Sequence, residues 1–145
     1  MRLTIFPNMG GHTLMSTSMN SCLLDTNAAI HIIRGEQAIQ QAITNKHVFV
    51  PIITIGELFY GAENSGRPNS NRENVERFIR DSQIVNCDLD TTRFYGRVSI
   101  QLQRKGRPNQ PNDIRIAAIA VQHDLILLTR DAHFQYVDGL TVETW

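Results

Sequence analysis

Two short stretches, SCLLD at residues 21–25 and LILLT at 125–129, are apolar without the polar–apolar alternation of a half-exposed strand. A strand of this kind hides both of its faces. Helices covering both sides of a parallel sheet are the usual solution, so these two runs point to an α/β fold.

The chain between them supports that reading. Asn27 is placed to cap a helix running through AAIHIIR and stopping at Gly35, and a short helix follows from residue 36 to about 45. HVFVPII (47–53) is β-branched and aromatic, a second strand. Ile55, Leu58, Phe59 and Ala62 then recur at helical spacing, SGRPNSN (65–71) reads as a polar loop, and Val75, Phe78 and Ile79 mark another helix. IVNC (84–87) is a short third strand. Asp90 opens a helix carrying Phe94, Val98 and Leu102 and ending near Gly106. After the loop RPNQPN, whose prolines forbid helix continuation, Asp113 begins an apolar helix striped by Ile114, Ala117, Ala118 and Val121. A last strand is expected at 141–144. Strand and helix alternate throughout with no internal repeat, which predicts an α/β sandwich around a mainly parallel sheet.

Ligands of such sheets bind beyond the carboxyl ends of the strands. Asp25 closes the first strand, and Asp131 lies two residues past Thr129. Glu57 falls in the first turn of the helix after the second strand, on the same edge. Asp113 begins the helix that feeds the LILLT strand and reaches this edge only if the tertiary fold brings it there. Clustered carboxylates repel one another, and a divalent cation removes the conflict. An all-oxygen set suits Mg²⁺ or Mn²⁺ rather than zinc, and such a site can activate water and neutralise a phosphodiester. Asn27 and Thr129 offer neutral oxygens beside it.

Taken singly, each acid is better explained by local structure. Asp25 suits an Asx turn, Thr54 and Glu57 have capping-box spacing, Asn112 and Asp113 read as a cap and a dipole-friendly acid, and Asp131 suits a turn. The case for a site rests on the four occurring together at this topology. His31 and His133 read as helix-surface and loop residues. Arg104, Lys105 and Arg107 read first as a solvated helix end and second as contacts for RNA phosphates.

Composition bounds the rest. A chain of 145 residues with 41% hydrophobic content suits one packed domain. Lys and Arg total 14 and Asp and Glu total 14, which argues against a general nucleic-acid coat protein but leaves room for an enzyme touching a few phosphates. Cys22 and Cys87 both lie in strand-like runs, so buried reduced thiols in a cytoplasmic protein are expected, with no structural zinc. Residues 1–18 lack periodicity and contain no signal-peptide core or membrane span. They are expected to be a tail outside the fold, with the domain at 19–145 and Met19 as the best start. There is no Walker loop and no G-x-G-x-x-G after a strand.

LLDTN (23–27), ITIGELFYGA (53–62), PNDIRIAAIA (111–120) and LLTRD (127–131) together resemble the four acidic motifs of PIN domains, and specifically those of VapC toxins from bacterial toxin–antitoxin pairs. The resemblance runs in order from Cys22 to the end of the sequence. It implies a Rossmann-like three-layer α/β/α sandwich, with Asp25, Glu57, Asp113 and Asp131 as metal-site acids and Asn27 and Thr129 as polar helpers. It also implies Mg²⁺- or Mn²⁺-dependent endonucleolytic RNA cleavage that inhibits translation and growth, a homodimer, and a cognate antitoxin that blocks the site. One competing reading is a PIN-type interaction module without catalysis, against which stands the retention of all four acids. Another is a phospho-receiver domain, which needs a further acidic pair and a late lysine; DTNAAI has one acid and no lysine follows Lys105.

Overall fold

The computed structural model describes residues 20–145. The expected tail at 1–18 and the start at Met19 lie outside the described residues. The elements run β1 (Ser21–Leu24), α1 (Thr26–Ile33), α2 (Gln37–Ile43), β2 (His47–Pro51), α3 (Ile52–Glu63), α4 (Pro68–Arg80), β3 (Gln83–Val85), α5 (Leu89–Arg104), α6 (Pro111–Gln122), β4 (Ile126–Leu128), a short 3-10 helix (Ala132–Tyr136) and β5 (Val142–Glu143).

All five strands are parallel, in the order β3-β2-β1-β4-β5. β1 is central, with Cys22 level with Val48 on one side and Ile126 on the other. The chain builds outward from β1 in one direction, then crosses over and builds in the other. The order therefore reverses between β1 and β4, and in open parallel sheets ligands bind beyond the carboxyl edge at such a switch point.

The unalternating runs behave as their composition requires. Leu23 and Leu127 face a core built with Val98 and Leu102 of α5 and Ile116, Ala117 and Ala120 of α6. Their neighbours Leu24 and Leu128 face the opposite core, with Ala28 and Ile32 of α1, Ile39 of α2, Leu58 of α3, and Val75 and Phe78 of α4. Leu23, Leu24, Leu127 and Leu128 are all essentially inaccessible to water. Truncating any of them to alanine costs about 2–5 kcal/mol. The result is the three-layer sandwich expected. Among the described residues no helix is long and apolar enough to cross a membrane.

Several element ends differ from the sequence reading, each for a local reason. Asp25, not Asn27, caps α1, because its carboxylate is two positions nearer the strand and accepts the Ala28 N–H at 2.8 Å. β2 stops at Pro51, and α3 begins at Ile52 inside the expected strand. Pro68 starts α4 within the expected loop, since its fixed φ and missing N–H suit a first helical position. Asp88, not Asp90, caps α5 through a reciprocal pair with Thr91. The chain must leave the sheet to reach that cap, so β3 ends at Val85 and Cys87 is exposed rather than buried. Gly35 and Gly106 do end α1 and α5 as expected, at φ +73 and +65.

Candidate active site

Asp25 is the first residue beyond β1 and is 4% exposed. One oxygen, Oδ1, accepts the Ala28 N–H at 2.8 Å, and the other, Oδ2, accepts the hydroxyl of Thr129. Thr129 is the first residue beyond β4, so the two strands flanking the switch point are joined at their carboxyl ends by this hydrogen bond. The Thr129 hydroxyl oxygen also accepts the Asp131 N–H at 2.9 Å. Asp131 in turn caps the 3-10 helix by accepting the His133 N–H at 2.9 Å, and its Oδ1 lies 2.7 Å from His133 Nδ1. The turn roles read from sequence for Asp25 and Asp131 are therefore real, and they orient both carboxylates on one edge.

The capping box read for Glu57 and the cap read for Asn112 both fail, while Asp113 does lie in the first turn of its helix as expected. α3 starts at Ile52 behind Pro51, with no side-chain cap, so Thr54 and Glu57 form no capping box and Glu57 sits in the second turn rather than the first. Its Oε1 is buried without a hydrogen-bond partner. α6 is preceded by Gln110, also without a side-chain cap, and Asn112 instead accepts from Arg115 at 2.8 Å. Asp113, the third residue of α6, is free of any capping duty.

Electrostatics ties the four together. The pKa of Asp113 is raised, first by burial and then by the charges of Asp131, Glu57 and Asp25. Burial also raises Asp25, assisted by the charge of Asp131 and opposed by the hydrogen bonds from Thr129 and Ala28. The fold thus does what sequence logic left open and brings Asp113 into the field of the other three.

Asn27 is exposed in the first turn of α1. His133 was not singled out from the sequence as a partner of Asp131; the D-x-H spacing just past a strand end is the signal that could have found it. Two residues of the basic run, Lys105 and Arg107, are turned to their own chain. Lys105 donates to the Tyr136 carbonyl at 2.8 Å and pairs with Asp138, and the Arg107 guanidinium lies 4.4 Å over the Tyr136 ring.

The donor set is oxygen-rich and fits a hard divalent cation. A buried carboxylate oxygen lacks a partner, and two acids are held partly toward protonation by burial and mutual repulsion. Among the described residues, no three His, Cys, Asp or Glu side chains stand close enough together to hold a metal ion between them as they are placed.

A family model for the PIN domain matches residues 22–140. The tRNA(fMet)-specific endonuclease VapC of Shigella flexneri is 32% identical over 127 residues, spanning 85% of this chain and 96% of that protein. Among solved structures, the DNA-bound VapBC of Salmonella typhimurium matches with a TM-score of 0.82 at 31% identity, over 88% of this chain and 99% of that one. A VapBC-5 structure from Mycobacterium tuberculosis, described as a member of the VapBC family of toxin–antitoxin systems, matches with a TM-score of 0.67 at 27% identity, over 86% of this chain and 97% of that one.

Proposed function

This chain belongs to the PIN domain family, in its VapC branch, and from that premise we propose that it is a divalent-metal-dependent endoribonuclease acting as the toxin of a toxin–antitoxin pair. The observation that carries the proposal is the meeting of Asp25, Glu57, Asp113 and Asp131 in one electrostatic field at the switch point of the sheet. RNA is the substrate, Mg²⁺ or Mn²⁺ the cofactor, and an antitoxin protein the partner.

Asp25, Asp113, Asp131 and Glu57 would hold the cation. When bound, it supplies a charge partner for the phosphodiester and a lowered pKa for water. The chain's own groups do the positioning. Asp25 is pinned through both oxygens, so its remaining lone pairs have a fixed direction. Thr129 spends its proton on Asp25 and a lone pair on the Asp131 N–H, which sets the spacing of the two carboxylates. Asp113 sits at the dipole-positive end of α6, which favours its charge, while the neighbouring acids oppose it.

The test is cleavage by metal-stripped protein, with initiator tRNA tried first because the Shigella flexneri relative is named for it. Cleavage should appear with Mg²⁺ or Mn²⁺, stop on chelation, and be lost in Asp25→Asn. Undiminished cutting in excess chelator sinks the carboxylate mechanism. No cutting with any divalent ion or RNA favours a binding module instead. Co-expression with the genomic neighbour should silence the activity.

A further inference from the structure

We propose that Trp145 is a positioning residue for the acid cluster, holding the Thr129–Asp131 loop against α1 through a ring seated between Arg130 and His31. The proposal rests on the metal-site reading of the four acids. The Arg130 guanidinium lies 4.4 Å over the Trp145 ring, and its Nε donates to the main-chain oxygen of Trp145 at 2.8 Å. The edge of the same indole meets the His31 imidazole, with ring centroids 5.5 Å apart at 70°. His31 lies on α1, whose cap is Asp25, and is itself paired with Glu36. Arg130 is flanked in sequence by Thr129 and Asp131. One side chain therefore bridges the two segments that supply Asp25 and Asp131.

The Thr129 hydroxyl ties Asp25 to the start of the loop, and the Trp145 bridge adds a second hold on its outer side, at Arg130. β5 is only two residues long, and it reaches the loop through one bond, the Thr129 N–H donating to the Glu143 carbonyl at 2.9 Å. Trp145 extends that hold by one residue, to Arg130. Its ring also packs on the core that contains Leu24, Ala28 and Leu128, so the clamp has a rigid floor. The indole Nε1 is buried without a partner.

The test compares the full-length parent with Trp145→Ala, Trp145→Phe and Arg130→Gln. Mn²⁺ affinity is measured by calorimetry well below the melting temperature, beside the melting temperature without metal. Trp145→Ala should weaken Mn²⁺ binding about tenfold, the scale expected when a group supporting a metal ligand is removed. Trp145→Phe, which keeps a ring for Arg130 and His31, should recover most of that loss. Arg130→Gln removes the stack from an exposed position without touching the core and should weaken binding in the same direction. It carries the test if Trp145→Ala does not fold. Because Trp145 is the sole tryptophan, its emission in Arg130→Gln reports whether the ring has left its seat. Lower melting with unchanged Mn²⁺ affinity in the folded variants overturns the positioning role and leaves the metal site standing. Absence of Mn²⁺ binding by the parent overturns both.

Discussion

Replacing Glu57 by glutamine removes one negative charge at nearly constant shape, and the structure makes its consequences computable. Oε1 of Glu57 is buried and unpartnered, and the charge of this side chain pushes up the pKa of Asp113. Without metal the charge is therefore a cost. Glutamine should stabilise the metal-free protein by on the order of 1 kcal/mol, the scale of the repulsion between nearby like charges in a partly solvated site. For a domain of this size that is a rise of about 4 °C in melting temperature. With metal the sign turns. At a concentration a hundred times the parent's Kd, binding stabilises the parent by about 2.7 kcal/mol; if the variant binds tenfold more weakly, its gain is only about 1.4 kcal/mol. The variant should start above the parent and finish level with it or slightly below. Thermal melts with chelator and with saturating Mg²⁺, beside single-turnover cleavage, read all of this. Cleavage should fall by about tenfold or more at limiting metal and recover partly as metal is raised. A variant that melts well below the parent without metal, shows the same metal-induced shift and cuts normally would refute the reasoning, because Glu57 would then be a structural acceptor.

Thr129→Val deletes the hydroxyl that donates to Asp25 and accepts from Asp131, two bonds worth about 1 kcal/mol each; melting should drop accordingly, Thr129→Ser should restore it, and an unchanged melting temperature in the valine variant contradicts the network. The raised pKa values of Asp25 and Asp113 set a pH dependence in metal-free protein: their contribution is full below the ordinary value of 3.8 and is lost as pH rises through the elevated values. Asp113→Asn should therefore melt progressively higher than the parent as pH is raised above about 4 in chelator, and a difference that is constant with pH contradicts the assignment. Using the difference between the two proteins cancels the opposite trends of His123 and Asp88, whose pKa values are lowered.

What was legible in the sequence was whatever depends on local chemistry with a strong period. Leu23 and Leu24, like Leu127 and Leu128, revealed strands with two hidden faces, and an acid just past each of those runs revealed the edge that matters. Helix starts were read less well because several residues compete for each. Asp25 and Asn27 can both cap, and the strand's end decides between them; Thr54 and Glu57 have capping spacing, but Pro51 starts the helix sooner. Proline was read as part of a strand at 51, of a loop at 68 and as a helix breaker at 111, whereas it flanks a helix at the first and opens one at the other two. Cys87 looked buried because its neighbours are apolar, yet the cap at Asp88 pulls it from the sheet. The arrival of Asp113 and the clamp around Arg130 join segments far apart in the chain, and no spacing rule reaches that distance.

The central position of β1 has a consequence for how the molecule is made. Among the described residues the first strand synthesised is the one whose second partner comes late, and the bond from Thr129 to Asp25 closes a separation of 104 positions. Contacts this distant in sequence are slow to form, and β4 has to be in place before the switch point exists. An unfinished chain on a ribosome therefore carries Asp25, Glu57 and Asp113 but lacks the loop that completes the crevice. If the four acids act together as proposed, the edge that carries them is assembled last, and a chain that stops before Thr129 lacks the hydrogen bond that joins its two central strands.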